Sequence, residues 1–213
     1  MSPVRRLAVA AVAVVLGLGA LTSGADAAGG RPSKADLASK RITVSVTDKA
    51  AKNDLKVTSN VPGVKPGKPV WLDKQADLAS ARYVVNRAKP GTLTITYRVR
   101  GMVVEPGSQP PGHIVAQQFG TMLLGTKWVM LSNNYRNFVL YDTVSSQQSF
   151  GCSGTDTTAA PGGKVVTVEV SLDCIGSTLT KAAALQPFTR TIDGQRITTD
   201  LGPKTRVVPL TAR

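Results

Sequence analysis

The sequence predicts an all-β protein: a two-sheet antiparallel β-sandwich, jelly-roll or immunoglobulin-like, with one disulfide and little helix. Three observations carry that expectation. From Arg41 onward, short runs alternate apolar and polar residues with a period of two. Clusters of Gly, Pro, Asn and Ser separate these runs at strand-like spacing. Helical periodicity is nearly absent, and only residues 180–185 leave room for one or two helical turns. About nine or ten short strands with so little helix argue for two sheets packed face to face, with a closed barrel as the main rival. No internal repeat marks a propeller or solenoid.

The elements follow in chain order. Arg5 and Arg6 precede an uninterrupted apolar and small-residue run over residues 7–21, and Ala25-Asp26-Ala27 fits the small-x-small cleavage pattern. The run is shorter than the roughly 20 residues of a membrane-spanning helix. Residues 1–27 are therefore expected to be a signal peptide cut after Ala27. Residues 28–40 lack aromatic and β-branched side chains and read as a flexible leader. Residues 41–213 show no internal boundary and read as a single sandwich domain.

Within that domain, Ile42, Val44 and Val46 alternate with Thr43, Ser45 and Thr47, the mark of a half-buried strand. Residues 92–100 carry the clearest pattern: Leu93, Ile95, Tyr97 and Val99 share one face, and threonines and arginines share the other. The turn signal Lys89-Pro90-Gly91 joins this run to residues 78–86, which predicts a hairpin. Residues 127–132 and 136–143 flank a tight turn at Asn133-Asn134-Tyr135. A Ser-, Thr-, Gly- and Pro-rich loop over 153–163 leads into a strand over 164–173 that delivers Cys174 at its end. Further strands are expected at 55–59, 113–119, 187–192 and 206–210.

Composition narrows the partners. Against 26 Lys and Arg stand 13 Asp and Glu, a formal net charge of +13, and cleavage after Ala27 lowers it by only one. The basic residues are scattered and draw no nucleic-acid stripe. For an exported protein, anionic cell-wall polymers or lipid headgroups are the expected counterparts. Cys152 and Cys174 are the only cysteines, and an oxidising compartment favours their pairing. Closing that loop is worth about 3 kcal/mol in the chain-entropy model.

The stretch from Asp77-Leu78 through Tyr83-Val84-Val85-Asn86, followed by Gly91-Thr92-Leu93-Thr94-Ile95-Thr96-Tyr97-Arg98-Val99-Arg100, resembles a module of exported actinobacterial proteins. Gly151-Cys152 and Val168-Glu169-Val170-Ser171-Leu172-Asp173-Cys174-Ile175-Gly176 resemble the second half of such proteins. There a cysteine early in one strand pairs with one closing a later strand. The layout is similar to the sandwiches of carbohydrate-binding family 9 and DOMON-type domains. The likeness spans roughly residues 70–180 and implies a β-sandwich that binds a sugar, a haem or another protein.

Candidate site residues are few. Trp71 and Trp128 are the only tryptophans, and with Tyr135 they are the candidate ligand-binding residues, because aromatic faces stack on sugar rings. Core packing is the competing role for both tryptophans. His113 is the single histidine, and a haem would need it with Met102, Met122 or Met130. Asp48, Asn53 and Asp54 form an oxygen-rich cluster whose spacing matches no calcium loop. There is no nucleophile elbow, no His-Glu-x-x-His and no phosphate loop. Glu105 and Glu169 are the only glutamates. The sequence therefore predicts no catalysis, no cofactor, no metal and no nucleic-acid partner. It predicts a secreted or wall-associated sandwich that binds a polysaccharide or anionic wall component. A structural or protein–protein interaction module is the alternative.

Overall fold

The computed structural model describes residues 31–49, 55–59, 63, 65–66, 71–103, 115–133, 137–144, 148–149, 156–160, 162–178, 180–194 and 196–213. The expected signal peptide, Tyr135, His113, Asn53, Asp54 and Cys152 lie outside these residues.

A short helix α1 (Lys34–Ala38) precedes β1 (Arg41–Thr47) and β2 (Lys56–Ser59). A 3₁₀ turn (Trp71–Ala76) leads into the hairpin of β3 (Leu78–Asn86) and β4 (Thr92–Val99). Then come β5 (Val115–Leu124), β6 (Trp128–Asn133), β7 (Asn137–Asp142), β8 (Gln148–Ser149), β9 (Asp156–Ala159) and β10 (Val165–Ser171). Helix α2 (Leu172–Thr178) is followed by β11 (Ala182–Asp193), β12 (Arg196–Leu201) and β13 (Val207–Pro209).

The strands form two antiparallel sheets. The smaller runs β1-β3-β4-β10-β9, and the larger runs β2-β12-β11-β5-β6-β7-β8. β13 pairs with Ala182–Ala184 of β11, on the side that β12 occupies further along the strand. No ladder among the described residues joins the two sheets into a barrel.

The alternation of β1, β3, β4 and β10 explains the packing. Their inward residues, including Ile42, Tyr83, Leu93, Ile95, Tyr97 and Val168, meet Phe119, Leu123, Met130, Leu140 and Leu185 of the larger sheet. Tyr97 and Phe119 pack with ring centroids 5.9 Å apart. Fully burying a large apolar side chain is worth about 1.5–3 kcal/mol, so these rings dominate the cohesion between sheets. One polar link crosses the middle of this core. The Thr121 hydroxyl lies 2.8 Å from the Tyr97 phenol and 3.1 Å from that of Tyr83.

Several expectations are corrected. The segment read as a flexible leader is docked from Ser33 onward. Ser33 caps α1 by accepting the Asp36 N–H at 3.0 Å, and buried Asp36 pairs with Arg206 at 2.7 Å. Buried Arg87 donates to the carbonyls of Leu37 and Thr211, tying this turn to the C-terminal tail. Backbone carbonyls and charge hold the segment, which a search for apolar residues does not reveal.

The helical turn expected over 180–185 is instead the start of β11. Pairing with β5 and β13 overrides the propensity of its alanines. The helix lies earlier. Leu172 and Ile175, three residues apart and fully buried, turn the chain inward directly after β10. Cys174 therefore sits on a helix and does not close a strand. β9 falls within the expected loop over 153–163, and β12 had no clear signal.

No helix among the described residues is long and apolar enough to cross a membrane.

Candidate functional site

The two outward faces differ in chemistry. On the smaller sheet, the residues between the inward apolar ones all face out, and the register sets them in rows. Ser45, Arg82, Thr96, Thr167 and Thr158 form one row across all five strands. Thr43, Val84, Thr94, Glu169 and Asp156 form the next. Arg98 stands beside Ser80 and Val165 one row further on. Neighbouring hydroxyls are thus spaced about 4.8 Å across strands and about 6.7 Å along them. Thr43, Ser45, Arg82, Arg98 and Thr158 are exposed, and Thr94, Thr96 and Thr167 are half-exposed. The cations Arg41 and Arg82 lie on β1 and β3, Arg98 lies on the central β4, and the acids Glu169 and Asp156 lie on β10 and β9.

The outward face of the larger sheet is covered. Val129, Leu131, Val139, Tyr141 and Phe188 are all buried there. Gly120 has no side chain because the Phe188 ring lies across it, directly opposite in the ladder. The Arg190 guanidinium sits 5.7 Å from that ring centroid, and its Nε donates to the Thr199 hydroxyl at 3.2 Å. Burial lowers the Arg190 pKa below its usual value, because the charged form loses water.

Of the candidate ligand-binding residues, Trp71 and Trp128 lie within the described residues, on segments anchored at different ends of β5. Trp128 is half-buried, packs against the core, and takes the Lys127 ammonium 5.5 Å from its ring centroid. Lys127 is held in turn by Asp142 at 2.7 Å. Trp71 opens the 3₁₀ turn, whose Gln75 carbonyl accepts from the Gln117 side chain at 2.9 Å. That anchor lies near the start of β5, whereas Trp128 lies level with the Leu123 end. The six residue steps from Gln117 to Leu123 separate the two anchor points by about 20 Å. Tyr135 lies outside the described residues, as does Cys152, while Cys174 is half-buried on α2.

Among the described residues, no group of three or more His, Cys, Asp or Glu side chains could hold a metal ion. Glu169 is exposed, and Thr94 donates to it at 3.5 Å. The hydroxyl and arginine rows were legible only as the polar half of each alternation. Threonine, serine and arginine are common on any solvated strand face and carry no rare-residue signal. No family model, curated protein or solved structure matches this chain.

Proposed function

We propose that the chain is an exported, non-catalytic β-sandwich that binds an extracellular polymer, a polysaccharide or an anionic cell-wall component. The surface assigned to this role is the outward face of the smaller sheet. The observation that supports it is the register of exposed threonine and serine hydroxyls with Arg41, Arg82 and Arg98 alongside. Hydroxyls both donate and accept, which suits the hydroxyls and anionic groups of a repeating polymer. Each such hydrogen bond contributes about 0.5–1.5 kcal/mol net, so retention depends on many weak contacts made together. The arginines add attraction that salt screens.

Co-sedimentation of the purified protein with cell wall and insoluble polysaccharides, across a salt series, tests this reading. Replacing Arg82 and Arg98 together by Glu is expected to weaken retention about thirtyfold at low salt, since two reversals at about 1 kcal/mol each sum to about 2 kcal/mol. Trp128→Ala is expected to leave retention unchanged. Loss in Trp128→Ala with no response to the arginine variants would instead place the polymer on a stacked sugar site. No retention by the unaltered protein would end the proposal.

Export also carries a Cys152–Cys174 bridge as part of the proposal, with Cys174 positioned on α2 directly after β10. Alkylation of the denatured protein is expected to label no thiol until reductant is added. Two reactive thiols without reductant would contradict the bridge.

A further inference from the structure

Among the described residues, β1 is an edge strand of the smaller sheet, paired on one side by β3. The flanking bonds fix which of its backbone groups point where. Arg87 N–H donates to the Lys40 carbonyl at 2.7 Å, and Asp48 N–H donates to the Ala79 carbonyl at 3.0 Å. Both pairs continue the register of β1 on β3, in which Ile42 faces Val85 and Val46 faces Ala81. Bonded pairs in an antiparallel ladder recur at every second residue. The even-numbered residues of β1 therefore bond to β3, and the odd-numbered ones aim their N–H and C=O groups at the open edge.

Ser39 corroborates this parity. Its hydroxyl accepts the Arg41 N–H at 3.2 Å and donates to the Arg41 carbonyl at 2.6 Å, closing the first of the outward pairs. Thr43, Ser45 and Thr47 have no such cap among the described residues. They leave three N–H and three C=O groups in line. None of the usual guards against strand addition interrupts residues 42–47, which contain no proline, no lysine and no bulge.

We infer that this edge accepts an added antiparallel strand: an extended segment of a partner protein with acidic side chains at the ends of its paired stretch. Main-chain bonds to Thr43, Ser45 and Thr47 supply the attachment. Charge selects the partner. Exposed Arg41 and Lys49 bracket the open stretch, with Lys40 just outside it. Carboxylates opposite Arg41 and Lys49 would meet opposite charge. A second copy of β1, paired about Ser45, would set Arg41 against Lys49 of that copy, and like charges directly opposite are destabilising. The alternate residues of the incoming strand would extend the inward side beside Val44 and Val46, which favours small apolar side chains there. This interaction uses the backbone groups of the edge and shares the Arg41 side chain with the proposed polymer-binding face, whose Arg82 and Arg98 it does not touch.

The test is amide hydrogen exchange on the labelled protein, with the synthetic peptide Glu-Val-Thr-Val-Thr-Val-Thr-Val-Glu as probe. In the free protein, the amides of Thr43, Ser45 and Thr47 are expected to exchange at least about tenfold faster than those of Val44 and Val46. Saturating peptide is expected to slow the three odd-numbered amides by about tenfold or more. The same peptide with Lys for Glu is expected to have no effect. Ser45→Pro removes the central outward N–H at a position where an edge strand tolerates proline, and it should abolish the response while Val44 and Val46 stay protected. A peptide N-methylated at its central Thr gives the same control without altering the protein.

Slow exchange at the odd-numbered positions of the free protein would show that the edge is already covered. If that protection grew with protein concentration, the occupant would be a second copy. No response to the acidic peptide, or an equal response to the lysine peptide, would also overturn the inference.

Discussion

Thr121→Val is expected to lower the unfolding free energy by about 2–5 kcal/mol, although it changes neither volume nor shape appreciably. The Thr121 hydroxyl is the shared partner of the Tyr83 and Tyr97 phenols, and all three residues are buried between the sheets. Valine would leave two phenols without a partner, and each buried orphan costs about 1–3 kcal/mol. Tyr83→Phe alone should cost less, because the Thr121–Tyr97 bond survives. Combining Thr121→Val with both Tyr→Phe changes should recover much of the loss, since removing all the polar partners leaves none unsatisfied. Urea denaturation of the four proteins measures each term.

The same cluster gives the protein an alkaline limit. Burial pushes the pKa of both phenols up from the usual value, with a smaller opposing contribution from the bond to Thr121. The folded chain keeps these protons when the unfolded chain would release them, near pH 10. Their contribution to stability is therefore complete below about pH 10 and is lost as pH rises beyond it. Tyr83 and Tyr97 are expected to ionise only together with the loss of native structure. Their ionisation in a still-folded protein would contradict this burial.

Asp73→Ala is expected to cost about 1.5–3 kcal/mol, the range for hydrogen bonds to a charged group, here in a partly buried ion pair. Asp73 accepts from Arg196 Nε at 2.9 Å and from Arg196 Nη2 at 2.7 Å, and the Thr198 hydroxyl also donates to it. The two side chains are only 15% and 10% exposed, so Arg196 would be left charged and poorly hydrated. This pair pins the 3₁₀ turn that carries Trp71 onto β12. Asp73→Ala should therefore also expose residues 71–76 to limited proteolysis. The double change Asp73→Leu with Arg196→Met should be far milder than Asp73→Ala, because no unpaired charge remains. A thermal midpoint equal to the unaltered protein in Asp73→Ala would show that the pair contributes little.

How much of this was legible in the sequence follows from which faces meet water. β1, β3, β4 and β10 each have one buried face and one solvated face, so Ile42/Val44/Val46 and Leu93/Ile95/Tyr97 stand out against hydroxyls and charges. The central strands of the larger sheet are covered on both sides. Along β11 and β12, Thr189, Arg190, Thr191, Thr198 and Asp200 are buried among apolar neighbours, and the alternation disappears. Asp200 accepts the Leu78 N–H at 2.6 Å, a link between the two sheets that no local pattern could announce.

The candidate surface was half legible. Its polar rows could be read directly, but their alignment into one face required the register of five strands. Trp128 is the opposite case. It was conspicuous in the sequence as a rare aromatic, and the fold uses it chiefly to pack against the core.

The most direct test of polymer binding at the smaller sheet is a two-dimensional NMR titration of the labelled protein with a soluble fragment of cell-wall polymer. Shifts are expected to concentrate at Thr43, Ser45, Arg82, Thr96, Arg98 and Thr167, with the Trp128 indole unchanged. An unaltered spectrum, or shifts centred on Trp128 or on the covered face around Phe188, would contradict it.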